Sequence, residues 1–114
     1  MDKLSHYRTV IKRLLAEYER LGGSTAPDDL VVDHAMFDDE HNRYILLRTG
    51  WWEEKRVNAA ALYLRLHNDK IYIEEDWTED GIAADLLEAG VPREDIVLAF
   101  HPPEMRQYTE FAVA

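Results

Sequence analysis

The apolar residues of this chain change their period once, and that change limits the folds open to it. In DKLSHYRTVIKRLLAEYERLGG, Leu4, Tyr7, Ile11, Leu14, Tyr18 and Leu21 recur every three or four residues, one stripe along a helix. Val10 and Leu15 widen the stripe beyond a coiled-coil seam. The pattern predicts a helix lying on a sheet, with a helix shared across a dimer as the alternative. Asp2 is placed to cap its start and Gly22-Gly23 to end it. After the loop STAPDD the spacing becomes two. In LVVDHAMF, Val31, Asp33, Ala35 and Phe37 share one face, and Leu30, Val32, His34 and Met36 the other.

RYILLRTGWW, RVNAAALYLRLH and KIYIEE continue as strands, separated by the turn DDEHN, the tight connection EEK and the hairpin turn HNDK. Connections this short force antiparallel neighbours, so the four strands are expected to form a meander. On the third strand, Ala60, Leu62, Leu64 and Leu66 make an apolar face, with Ala59, Ala61, Tyr63 and Arg65 opposite. The small Ala59 and Ala61 would let the first helix come close. Asp76-Trp77-Thr78-Glu79 reads as a capping box, and Ile82, Leu86 and Leu87 mark a short helix that ends at Gly90, before Pro92. IVLAF is a short strand-like or extended segment.

Pro102 and Pro103 prevent a regular element from running on, so HPPEMRQYTEFAVA is expected to travel as an extended arm. Its apolar end, Phe111, Ala112 and Val113, needs a surface on this chain, on a second copy or on a partner. The expected architecture is α+β in a single domain, 1–114. It comprises a long N-terminal helix packed on a four-stranded antiparallel meander, then a short helix and an extended C-terminal arm.

Charge decides which partners suit it. Thirteen basic residues stand against twenty-three acidic ones, a net charge of −10. The first 21 residues hold five bases and three acids, so the excess of acid lies wholly in the remainder. Nucleic-acid affinity draws on cationic side chains that release counterions, so direct DNA binding is disfavoured and a basic protein partner favoured. Cysteine is absent, which removes disulfides, thiolate metal sites and thiol nucleophiles. No apolar run reaches membrane-spanning length and nothing at the start resembles a signal peptide, so the cytoplasm is the expected compartment.

Catalytic chemistry finds no seat. The five histidines lack the i, i+4 pairing of helical metal sites, and the DDEH turn reads as a solvated turn. Ser5 and Ser24 lie in no nucleophile motif, and Gly22-Gly23 lacks the Lys-Ser/Thr of a phosphate loop. Glu53-Glu54-Lys55 has the form of a nuclease metal triplet, with Asp33 or Asp38 upstream. It falls between two strands, however, and reads as a polar hairpin tip. No catalytic residue, metal site or cofactor is expected. Glu74, Glu75, Asp76, Glu79 and Asp80 form the densest acidic run, part of it explained by the helix that follows.

The tryptophans point to binding. Trp51 and Trp52 are adjacent on a strand and must face opposite ways, so only one can enter the core. With Trp77 and the arm residues Pro102, Pro103, Tyr108, Phe111 and Val113, they are the candidate partner or dimer contacts.

The opening MDKL..YR..IK.LL.EY, the central GW.....V and the stretch KIYIEEDWTEDGIAADLLEAGVPREDIVLAFHPPEMRQYTEFAVA resemble the XisI family of cyanobacterial element-excision controlling factors. The resemblance spans essentially the whole chain and is sharpest from Lys70 to Ala114. It implies a small α+β protein that works beside a companion, XisH, in programmed excision of a DNA element, while a separate site-specific recombinase does the recombination. XisH-like proteins resemble restriction endonucleases, so a nuclease metal site would belong to the companion. Many relatives carry a His-x-Asp pair where this chain has Tyr63 and Arg65, and often Gly at Asp69. They often have Asp and Gly at Trp52 and Trp77.

The expected function is thus a non-enzymatic accessory factor acting through contacts with an XisH-like companion and the recombinase, and self-associating as a homodimer. The alternative is a directionality-type DNA-binding factor that uses Lys3, Arg8, Lys12, Arg13 and Arg20 on the first helix. A metal-dependent hydrolase on the DDEH turn or the EEK triplet is the third reading.

Overall fold

The computed structural model describes residues 2–22 and 31–114. Gly23, the STAPDD loop and Leu30 lie outside the described residues. The first helix, α1 (Lys3–Gly22), forms as its stripe requires. Asp2 caps it, Oδ1 accepting the Ser5 amide at 2.7 Å. Tyr7, Val10, Ile11 and Leu15 are buried, and Leu4, Leu14 and Tyr18 pack around them. Leu21, at the end of the stripe, stays exposed.

Four strands follow as expected: β1 (Val31–Asp38), β2 (Arg43–Trp52), β3 (Lys55–His67) and β4 (Lys70–Asp76), each antiparallel to the one before. Two hairpins close with two-residue turns, Glu53-Glu54 and Asn68-Asp69, whose four φ values lie between 49° and 70°. Positive φ at both turn positions matches the right-handed twist of the strands.

The sheet differs from the expected meander in having five strands. After β4 the chain crosses through α2 (Ile82–Glu88) and returns as β5 (Ile96–Leu98), parallel to β4, with Ile71 opposite Ile96 and Ile73 opposite Leu98. A parallel neighbour needs such a crossover, and a three-residue strand is too short to show a period. Gly90, at φ +96°, ends α2 as anticipated: its amide bonds to the Leu87 carbonyl and the Val91 amide to that of Leu86, both at 3.0 Å.

The capping box is replaced by a longer-range device. Asp76 accepts the Thr78 amide on one oxygen at 2.9 Å and the Ile82 amide on the other at 2.8 Å. The carboxylate thus caps a helix that starts six residues on, with Gly81 at φ +79° turning the chain into it.

A bulge also revises the faces of β3. Leu46 stands opposite Leu62, yet Leu47 stands opposite Ala60, so Ala61 is the extra residue. Leu62, Leu64 and Leu66 keep the expected face. Past the bulge, Ala59 and Val57 join that face and Ala60 leaves it. The core gathers there: Tyr44, Leu46, Leu62, Leu64, Ile71, Ile73 and Ile96 from the sheet meet α1 and the Ile82 and Leu86 side chains of α2.

The arm is neither wholly extended nor loose. Pro103–Tyr108 coils into a 3-10 turn with proline at its start, where the fixed φ of proline suits a first helical turn and its missing amide costs nothing. Beyond it the chain runs beside β5. The Ala112 amide donates to the Ile96 carbonyl at 2.8 Å, and Phe111 packs on the core. Arg106 holds the return, its guanidinium donating to the carbonyls of His101 at 3.0 Å and Ala99 at 3.3 Å.

Candidate interaction surface

Both helices occupy one face of the sheet. On the other face of β1–β3 the strand alternation places Val32, Met36, Ile45, Leu47, Trp51, Ala60 and Tyr63, with the polar His34, Thr49 and Asn58 among them. Val32, Met36 and Trp51 are exposed and Ile45, Leu47 and Tyr63 half-buried, so no described element covers this surface. Without a second layer, the apolar side chains of this sheet face stand in contact with water. Its charges lie at the margins and are of both signs: Asp38 beside Arg43, Arg56 above the Trp51 ring at 5.6 Å, and Arg65 bonded to Glu74 at 2.9 Å. Toward β4 the face closes, because Tyr72 lies buried under the Arg65 guanidinium, 4.8 Å from its ring centre.

The predicted contact residues fall into two groups that the fold keeps apart. Trp51 and Trp52 end β2 at the tip of the long hairpin and do face opposite ways. Neither enters the core, since 52% and 48% of their surfaces remain exposed. The reason is reach: among the described residues β1 extends only to Gly50 and β4 only to Leu62, so the hairpin tip runs beyond both. Trp77 lies just past β4, 73% exposed, its amide bonded to the Ala61 carbonyl at 2.9 Å and its ring nitrogen to Glu75 at 2.8 Å. It borders a shallow groove of about 140 Å³ with Arg48, Val57 and Ala59.

The second group flanks β5. Pro102, Pro103, Tyr108 and Val113 are exposed, whereas Phe111 is half-buried against this chain's own core. β4 and β5 lie between this arm and the hairpin.

The basic residues of α1 are largely engaged within the chain. Lys3 meets Asp95 at 3.0 Å. Arg8 donates to Tyr44 and Asn42, Lys12 to Asp39 at 2.5 Å and Arg20 to Glu17 at 2.5 Å. Arg13 has no ion pair among the described residues. The carboxylates suspected of metal binding are also occupied. Asp38 holds His41, Asp39 holds Lys12 and Tyr44, and Asp33 is bound by both ends of the Arg48 guanidinium. Among the described residues no group of three or more His, Asp or Glu side chains is arranged to hold a metal. No described helix is long and apolar enough to cross a membrane.

Sequence reasoning missed the Asp33–Arg48 pair, although the signal was there. Asp33 falls in phase with Val31, Ala35 and Phe37, and a charge on a buried phase demands a partner. It also passed over Val32, Met36 and Leu47, whose alternation marks the uncovered face.

These features define an α+β domain with helices on one side of a mixed five-stranded sheet and an uncovered apolar patch on the other. A family model described as XisI protein matches residues 1–113, and the chain belongs to that family. Two solved structures from Anabaena variabilis share its fold. One is the fdxN element excision controlling factor XisI, 44% identical with a TM-score of 0.83, covering 99% of this chain and 100% of its own. The other is a XisI-like protein, 32% identical with a TM-score of 0.86, covering 97% and 99%. No curated protein matches the chain.

Proposed function

We propose that this protein is a non-enzymatic controlling factor for programmed excision of a DNA element, acting in the cytoplasm through contacts with an XisH-like companion and a site-specific recombinase. Family membership and the name of the 44% identical relative support the excision role. The observation that carries the mode of action is the uncovered face built by Val32, Met36, Leu47 and Trp51. An apolar patch rimmed by charges of both signs, on a chain of net charge −10, suits a protein surface better than a phosphate backbone. The exposed arm residues Pro102, Pro103, Tyr108 and Val113 offer a second contact on the β5 side.

Co-expression with an XisH-like companion tests this. The two chains are expected to co-purify at micromolar concentration, and Met36→Glu is expected to weaken the complex at least tenfold with the circular dichroism unchanged. No complex with the unaltered chain would defeat the proposal. The DNA-binding alternative relies on the bases of α1, most of which already have intrachain partners. A gel shift at low salt checks it, and retardation of element-end DNA by the chain alone would favour that reading instead.

A further inference from the structure

We propose that the free edge of β3 from Lys55 to Ala60 docks a second copy of this chain, which adds its own Lys55–Ala60 segment as an antiparallel strand. This goes beyond the excision role and stands or falls without it.

The edge is unpaired for a definite stretch. β4 bonds to β3 only from Leu62 to His67, and the Trp77 amide takes the Ala61 carbonyl. Among the described residues nothing pairs with Lys55–Ala60 on that side. Strand alternation identifies the free groups. The Ala35 amide points away from β2, to Glu19 at 2.7 Å, so the even-numbered residues of β1 bond to β2. The even-numbered residues of β2 then face β3 and engage Ala59, Val57 and Lys55. Arg56, Asn58 and Ala60 are left with amides and carbonyls directed at the open edge.

The other sheet edges are handled differently. Ala112 occupies the outer side of β5, and Glu19 intercepts an amide on the outer side of β1. The β3 segment has no such guard.

Charge and symmetry favour a second copy as the occupant. Antiparallel pairing about Asn58 sets Arg56 of each copy opposite Ala60 of the other, and the small Ala59 and Ala60 raise no steric barrier. Each copy's Lys55 and Arg56 then approach the end of the other copy's β4, where Glu75 and Asp76 stand and Glu79 and Asp80 follow. The two-fold axis makes the contact twice. Trp77, the most exposed tryptophan, sits at that junction, and Trp51 and Trp52 flank the turn. Tryptophans cover roughly 150–250 Å² each when buried. Only the part of each ring that is still exposed, greatest at Trp77, can add to the about 800 Å² per partner of a stable interface.

Light scattering on the full chain is expected to report twice the chain mass at high micromolar concentration. Asn58→Pro removes an edge amide without touching a β2 bond, and is expected to give single-chain mass with unchanged circular dichroism. Because the chain lacks cysteine, Asn58→Cys is expected to cross-link two copies on mild oxidation, whereas Phe37→Cys on β1 is not. A monomeric native chain would overturn the proposal, as would a dimer that survives Asn58→Pro or cross-linking through Phe37→Cys alone. Protection of the β3 edge amides from exchange only when a companion is co-expressed would assign the edge to that companion and equally overturn it. Should Asn58→Pro fail to fold, the Asn58→Cys result decides.

Discussion

Arg48 grips Asp33 from the neighbouring strand with two parallel hydrogen bonds, Nε to Oδ1 at 2.7 Å and Nη2 to Oδ2 at 3.0 Å. The Asp33 side chain is 1% exposed, while the guanidinium reaches the edge of the groove beside Trp77. The hydrogen bond to Asp33 also raises the Arg48 pKa. A carboxylate this deeply buried is tolerable only while both oxygens are satisfied. Arg48→Met is therefore expected to destabilise the fold by about 3–5 kcal/mol. The double change Asp33→Leu with Arg48→Met, which leaves no charge stranded, is expected to recover most of that. Urea denaturation of the three variants checks the sign and the coupling.

Acid should unfasten the N-terminal end of α1. Tyr7 donates its hydroxyl to Asp95, and Lys3 approaches the same carboxylate at 3.0 Å. Burial pushes the Asp95 pKa up, but the Tyr7 hydroxyl and the Lys3 ammonium outweigh it and hold it below its ordinary value of 3.8. A depressed carboxyl pKa stabilises the fold above the unfolded value, and that contribution disappears as the pH falls through the folded value. Stability is expected to drop on acidification below about pH 4, and Asp95→Asn to flatten the drop while lowering stability at neutral pH. Denaturant midpoints across that range decide it. A profile for Asp95→Asn parallel to that of the native chain would remove Asp95 from the account.

The long hairpin carries strain that substitution can relieve. Glu53 and Glu54 sit at φ 49° and 70°, where a Cβ is crowded. The left-handed region costs roughly 1–2 kcal/mol for an ordinary L-residue. Asn-Gly is the favoured pair for such a turn. Glu53→Asn with Glu54→Gly is expected to raise the thermal midpoint, with a gain of about 1 kcal/mol. An unchanged or lower midpoint would mean that the carboxylates do something at the tip that outweighs backbone strain.

The arm should detach as a unit. Arg106 ties the carbonyls of His101 and Ala99 together, and the Ala112 amide closes on Ile96. Arg106→Ala is expected to speed hydrogen exchange at the Ala112 amide while that of Ile73 in the sheet stays slow. Phe111→Ala, removing a half-buried ring from the core margin, is expected to cost about 1–3 kcal/mol. Exchange that stays slow at Ala112 in Arg106→Ala would show that the bridge to β5 holds the arm alone.

The residues themselves determined a good deal of this protein. The 3-4 spacing from Leu4 to Leu21 dictated α1, because only one face of such a helix can be buried. The alternation in the four long strands, with connections too short for a crossover, dictated their antiparallel order. Gly90 and Asp2 announced helix ends through local backbone chemistry. What tertiary structure alone decided were the relations between segments far apart in the chain. Ile96–Leu98 is a strand because Ile71–Ile73 offers it a parallel partner, and three residues carry no period of their own. Ala61 bulges so that Leu46–Leu62 and Leu47–Ala60 can both pair, and the extra residue moves Ala59 onto the helix side of the strand and Ala60 off it. Asp76 caps a helix start six residues away only because the chain folds back over it. The tryptophans stood out in the sequence, but their exposure was set by the fold: the tip of the β2–β3 hairpin extends past the described ends of both neighbouring strands. The apolar tail came to rest beside β5 for the same kind of reason. An unpaired edge there offered it hydrogen bonds, and the sheet that made this edge is assembled from the whole chain.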